Sequence, residues 1–173
     1  MGKAIFSLGI IVLLIAVGGS IEYNVYNKTE DIPLPPMGSA TGWQALPIPD
    51  LMGILEIDAK ASWENEAYWL GIASVDEAER CEPDKETKVS ITCSGNNINF
   101  EVGGPSSKDS IINWDVEAGE WYACVGQNSG TFGQMSSLNV DVQVDAKLKT
   151  SVTYILLGVS GLLMMLGIII RKR

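Results

Sequence analysis

The alternation of apolar and polar positions changes character three times along the chain. From Ser151 to Ile170 no residue is charged, Leu, Ile, Val and Met dominate, and Arg171, Lys172 and Arg173 follow. At about 1.5 Å per residue such a helix spans roughly 30 Å, the depth of a bilayer's hydrocarbon core. Lipid offers no hydrogen bonds, so a helix is the form that satisfies this backbone. The pattern predicts a transmembrane helix over 151–170, a basic cytoplasmic tail over 171–173, and Tyr154 at the outer interface. A second apolar stretch, Ala4 to Gly19, follows Lys3. It reads either as a signal peptide cut after Gly18 or, over 1–21, as a retained membrane span at the lower limit of length. Both readings export the middle of the chain and make it a protein of the cell membrane or an endomembrane. The small residues of the second helix, Gly158, Ser160, Gly161 and Gly167, leave room for a partner helix, the N-terminal span being one candidate.

Between these segments the period becomes two. Leu138, Val140, Val142 and Val144 alternate with Asn139, Asp141, Gln143 and Asp145, which places one strand face in a core and the other in water. The same alternation predicts strands around Val89–Cys93, Ile98–Val102 and Ile112–Val116, with further strands over 54–61, 68–74 and 120–127. A short helical turn is expected at Val75 to Arg80. Turn residues separate the strands, among them Gly103-Gly104-Pro105. The whole predicts an all-β ectodomain over 51–149, an antiparallel β-sandwich of about seven strands, flanked by an N-terminal signal or anchor helix and a C-terminal transmembrane helix. Residues 22–50 hold five of the seven prolines and read as an extended linker, either a stalk or a strap pinned to the sandwich by Trp43 and Leu46. Asn27-Lys28-Thr29 within it has the form of a glycosylation acceptor.

Charge follows the same layout. All 21 acidic residues lie between Glu22 and Asp145, and eight of the 12 bases lie between the two apolar segments, so residues 22–149 carry a formal charge of 8 − 21 = −13. Such a surface repels nucleic acid and keeps the domain soluble. The partners expected are the lipid bilayer and, outside the cytoplasm, a protein or glycan.

Three cysteines in an exported domain imply a disulfide. Cys93 shares an alternation face with Val89 and Ile91, and Cys124 shares one with Tyr122, so a Cys93–Cys124 bridge would tie two core strands together. Cys81–Cys93 and Cys81–Cys124 are the other single pairings. On the second strand Trp121, Ala123 and Val125 form an equally apolar face, and if that face points inward Cys124 points out.

Chemistry-bearing patterns are few. The chain has no histidine, which removes the usual general base and the commonest metal ligand. Glu56/Asp58 and Asp141/Asp145 share strand faces in the manner of paired catalytic carboxylates or calcium ligands, and of the wet side of a sheet. The acidic run Asp76 to Glu86 lacks the spacing of a calcium loop. No cofactor and no enzymatic activity are expected. The possible binding patch is aromatic and amide: Trp121, Gln127 and Asn128.

Two family resemblances attach to these strands. Lys88 to Gly95 and Glu117 to Asn128 resemble the two cysteine strands of an immunoglobulin-like domain, with Tyr122 at the tyrosine-corner position. The tryptophan that follows the first cysteine in that family is missing here. Gly119, Trp121 and Cys124 are spaced as in the p24 family with its GOLD domain, which also joins an exported β-sandwich to one C-terminal membrane helix and a basic tail. That likeness implies a cargo adaptor in membrane trafficking, although the tail lacks the family's aromatic and dilysine signals. The residues themselves point to a non-enzymatic, membrane-anchored binding module or an accessory subunit of a membrane complex.

Overall fold

Period-two alternation resolves into two antiparallel four-stranded sheets, with an apolar helix at each end of the chain. The computed structural model describes residues 1–34, 41–46, 48, 53–82, 84, 86, 90, 92–107, 109–128 and 137–172. Its elements are α1 (Gly2–Gly19), β1 (Tyr23–Pro33), β2 (Thr41–Leu46), β3 (Leu55–Trp63), β4 (Tyr68–Ser74), α2 (Val75–Arg80), β5 (Val102–Gly103), β6 (Ile111–Asp115), β7 (Trp121–Gln127), β8 (Ser137–Leu148) and α3 (Thr150–Lys172). One sheet has the order β1-β8-β3-β6 and the other β2-β7-β4-β5. By contact the chain divides into two compact units, Met1–Asn24 with Leu51–Ile57 and Asp145–Arg173, and Val25–Asp50 with Asp58–Val144.

In the second unit both sheets feed one core. Tyr68, Leu70, Ile72 and Val125 come from β4 and β7, and Trp63, Ile112, Trp114, Leu138 and Val140 from β3, β6 and β8. The parity expected for β8 and β6 is observed: Leu138 and Val140 are buried and Asn139 and Asp141 exposed, as are Ile112 and Trp114 against Asn113 and Asp115. β4 breaks the alternation, because Tyr68 to Ala73 are all buried. A strand covered on both faces reads as a continuous apolar run.

The second cover is a layer that sequence periodicity did not show. Trp69, Ala73, Cys81, Cys93, Ile98 and Cys124 form a separate buried cluster, with Trp43 and Phe100 packed against it. Gly71 and Gly126 lie under the rings of Phe100 and Trp69, where any Cβ would strike the aromatic atoms. Trp69 meets Phe100 edge-on at 5.3 Å between centroids. At the turn after Phe100, Gly103 and Gly104 take φ of 83° and 84°, a region open to glycine and costly for other residues.

Three expectations need correction and a fourth lies largely outside the described residues. Residues 22–50 are not simply a linker, since they supply β1 and β2, each at the edge of a sheet. Proline is tolerated at such positions, and Pro33 closes β1. Trp43 and Leu46 do pin this segment, to the second layer and the shared core respectively. The strand expected over Ile98–Val102 shrinks to β5, because Ile98 and Phe100 are spent covering the second layer. The strand expected around Val89–Cys93 falls largely on residues outside those described, and Cys93 itself lies outside any strand.

The disulfide is Cys81–Cys93, with Cα atoms 5.4 Å apart, instead of Cys93–Cys124. Parity explains the difference. Val125 enters the shared core with Trp121 and Ala123 packed beside it, so Cys124 faces the opposite layer. Cys93 also lies in that layer, and the end of α2 brings Cys81 to it. Cys124 is buried in the same cluster, outside the bridge.

Candidate functional site

In the first unit, small residues recur every seven positions on α1, at Gly2, Gly9 and Ala16, and again on α3, at Ser160 and Gly167. These are the buried residues of the two helices. The helices run antiparallel with their backbones in near contact. A Cβ on Gly9 would lie 3.0 Å from the Met164 amide nitrogen and 3.1 Å from the Ser160 carbonyl oxygen. One on Gly2 would lie 2.7 Å from Gly167 O, and one on Gly167 the same distance from the Phe6 amide nitrogen. The buried Ser160 hydroxyl donates to the Gly9 carbonyl at 3.0 Å. Absent side chains therefore let two backbones touch, and one interhelical hydrogen bond sets their register.

The outward faces are apolar. Ile11, Leu14, Ile15 and Val17 on α1 are exposed, as are Ile155, Leu162, Met165 and Ile169 on α3. Both helices are long and apolar enough to cross a membrane. Tyr154 is 70% exposed in the second turn of α3, and Arg171 and Lys172 occupy its last turn, while Arg173 lies outside the described residues. Near that last turn the two helices enclose a cleft of about 330 Å³, lined by Lys3, Phe6, Ser7, Gly167, Ile168 and Arg171. Of the four small residues of α3 visible in the sequence, Gly158 and Gly161 face open space, where an added Cβ would meet nothing within 4 Å. The seven-residue recurrence shared by α1 and α3 was the missed signal.

The structure separates Trp121 from Gln127 and Asn128. Trp121 opens β7 and Gln127 closes it, about 20 Å apart at strand rise. Trp121 packs edge-on against Trp114 at 5.4 Å, and its indole N–H donates to Glu117 O at 2.9 Å. Asn128 is engaged by Ala67 and Glu66, its amide nitrogen donating to one carbonyl and its side chain to the other, each at 2.8 Å.

The same-face carboxylates are held in cross-strand contacts. Glu56 receives Lys147 Nζ at 3.1 Å, Asp141 accepts the Thr29 hydroxyl, and Asp145 accepts Asn24 Nδ2 at 2.8 Å. Asp58 sits directly across from Asp115 in the β3–β6 pairing. Among the described residues no group of three or more Asp, Glu, Cys or His side chains is placed to hold a metal ion. In the acidic run, Glu77 is clipped to Arg80 at 2.6 Å, and the guanidinium holds its carboxyl below the usual carboxylate range. No protein-family model matches the chain, and the searches of curated proteins and solved structures find no similar protein.

Proposed function

We propose that this chain is a membrane-anchored module held by two helices, α1 being retained beside α3, which displays an acidic β-sandwich outside the cytoplasm. There it binds a protein or glycan partner, or serves as an accessory subunit of a membrane complex, without catalysis of its own. The observation that carries this reading is the fit of Gly2 and Gly9 against Gly167 and Ser160. A cleavable leader is read by its apolar length and its cut site, and needs no surface complementary to the mature chain. The exposed apolar flanks of both helices suit lipid, and a disulfide suits an oxidising compartment. The bases at the start of α1 and the end of α3 favour the cytoplasmic side. Intact mass of the protein from its own membranes tests retention, with a mass that includes residues 1–18 expected. A start near Gly19 would overturn the two-helix anchor.

A second reading, a p24-like cargo adaptor, is favoured by the parity of β7. That resemblance implies Trp121, Ala123 and Val125 inward with Cys124 on the opposite face, whereas an immunoglobulin-like domain implies a Cys93–Cys124 bridge across the core. Truncation of Arg171–Arg173 separates the two functions. An adaptor mislocalises without its tail, and an accessory subunit keeps its association.

A further inference from the structure

We infer that the cleft between the first turns of α1 and the last turns of α3 binds the phosphate of an anionic phospholipid headgroup. The inference rests on the retention of α1 proposed above. Lys3 and Arg171 both line the cleft, and they converge because Gly2 has no side chain: a Cβ there would lie 2.8 Å from the Arg171 amide nitrogen. Lys172 adds a third cation in the same turn of α3. No acidic side chain exists in residues 1–21 or 146–173, so neither helix supplies a counter-charge. Two cations in an apolar setting favour a diffuse anion brought from outside.

The remaining walls select a lipid over a free ion. Phe6, Gly167 and Ile168 are apolar and continue into the exposed faces that suit acyl chains. The Ser7 hydroxyl is engaged by the Lys3 carbonyl at 3.0 Å, so recognition falls to the two cationic side chains. Lys3 stands in the first turn of α1, so the positive end of that helix dipole lies near the same cleft. The cleft also sits where the bases place the cytoplasmic leaflet, the anionic one in many membranes.

Native mass spectrometry of the full chain in mild detergent, titrated with phosphatidylglycerol or with phosphatidylcholine of the same acyl length, tests the site. Phosphatidylglycerol should be retained about tenfold or more in preference to phosphatidylcholine, given roughly 1 kcal/mol for each cation near the phosphate. The double variant Lys3→Gln/Arg171→Gln should lose that preference, and Lys3→Arg/Arg171→Lys should keep it. Lys149→Gln, at the other end of α3, should change nothing. Equal retention of both lipids, or an unchanged preference in Lys3→Gln/Arg171→Gln, overturns the inference. Displacement of phosphatidylglycerol by millimolar inorganic phosphate would assign the cleft to free phosphate and also overturn it. The same spectra report the protein's mass. A chain lacking residues 1–18 refutes the two-helix anchor, and a full-length chain indifferent to headgroup refutes the lipid site alone.

Discussion

Arg80 joins three segments through one guanidinium. Its Nη2 donates to Glu77 Oε2 at 2.6 Å and to Asn97 O at 2.7 Å, and its Nη1 lies 3.5 Å from Cys93 Sγ. Glu77 in turn accepts the Asn99 amide at 3.0 Å. First Arg80 and then that amide hold the Glu77 carboxyl below its ordinary value of 4.5. A depressed carboxylate adds stability above its unfolded pKa, and that stability is lost as pH falls through the folded one. Glu77→Gln is therefore expected to lower the unfolding free energy measured by urea denaturation at neutral pH, by under about 1 kcal/mol for a pair near the surface. The gap from the parent should narrow as pH falls below the ordinary glutamate value of about 4.3 and close only below the lowered folded value. A gap independent of pH would show that the carboxylate's charge is not what holds α2. The neighbouring bridge has a larger expected effect. With 12 residues of separation, the chain-entropy model gives Cys81–Cys93 about 3 kcal/mol. A non-reducing peptide map should recover Cys81 joined to Cys93, and Cys81→Ser/Cys93→Ser should lower the thermal midpoint in step.

At the scale of elements, legibility depended on whether one period described the environment. β8 and β6 alternate cleanly and were readable residue by residue, because one face of each meets the core and the other meets water. β4 matched its expected bounds, Tyr68 to Ser74, because a continuous apolar run bounded by turn signals is itself a strand signal. The layer over its outer face was not readable. Trp69, Phe100 and Trp43 meet through long-range packing over glycines, which leaves no local period. The Cys93–Cys124 expectation failed for the same reason, since it assumed a single core. The helices repeat the lesson: each apolar stretch was evident alone, but their complementarity exists only between them. It makes a paired prediction. Gly9→Leu should lower the thermal midpoint of the full chain in mild detergent, because the new side chain meets Met164 and Ser160. Gly158→Leu, facing open space, should leave it within error. Equal effects would mean that the helices are not packed through Gly9. Ser160→Ala should cost less, about 0.6 kcal/mol, the average for an interhelical hydrogen bond in a membrane.

For the molecule as a whole, charge is sorted by sequence position more strictly than any other property. The segment from Glu22 to Asp145 holds every acidic side chain, while Lys3, Arg171, Lys172 and Arg173 stand at the far ends of the two apolar helices. Because α1 and α3 are antiparallel and packed through their small residues, Lys3, Arg171 and Lys172 belong to one end of the pair, and Arg173 follows them in the sequence. The opposite end has Lys147 and Lys149, and Lys147 is offset by Glu22 and Glu56 at 3.8 Å and 3.1 Å. Orientation in the two-helix reading is therefore set by four bases against two, since bases near span ends decide topology and acids contribute little. Neutralising Lys3, Arg171, Lys172 and Arg173 to Gln reverses that balance without touching the packed interface of Gly2, Gly9, Ser160 and Gly167. Tags at both ends of the parent chain should resist protease added to intact cells, while the domain between them is trimmed. In the neutralised variant a measurable fraction of both tags should become accessible together, because a hairpin inverts as one piece. Exposure of the C-terminal tag alone would mean that α1 and α3 do not insert as a pair, and unchanged protection of both would assign orientation to something other than these four bases.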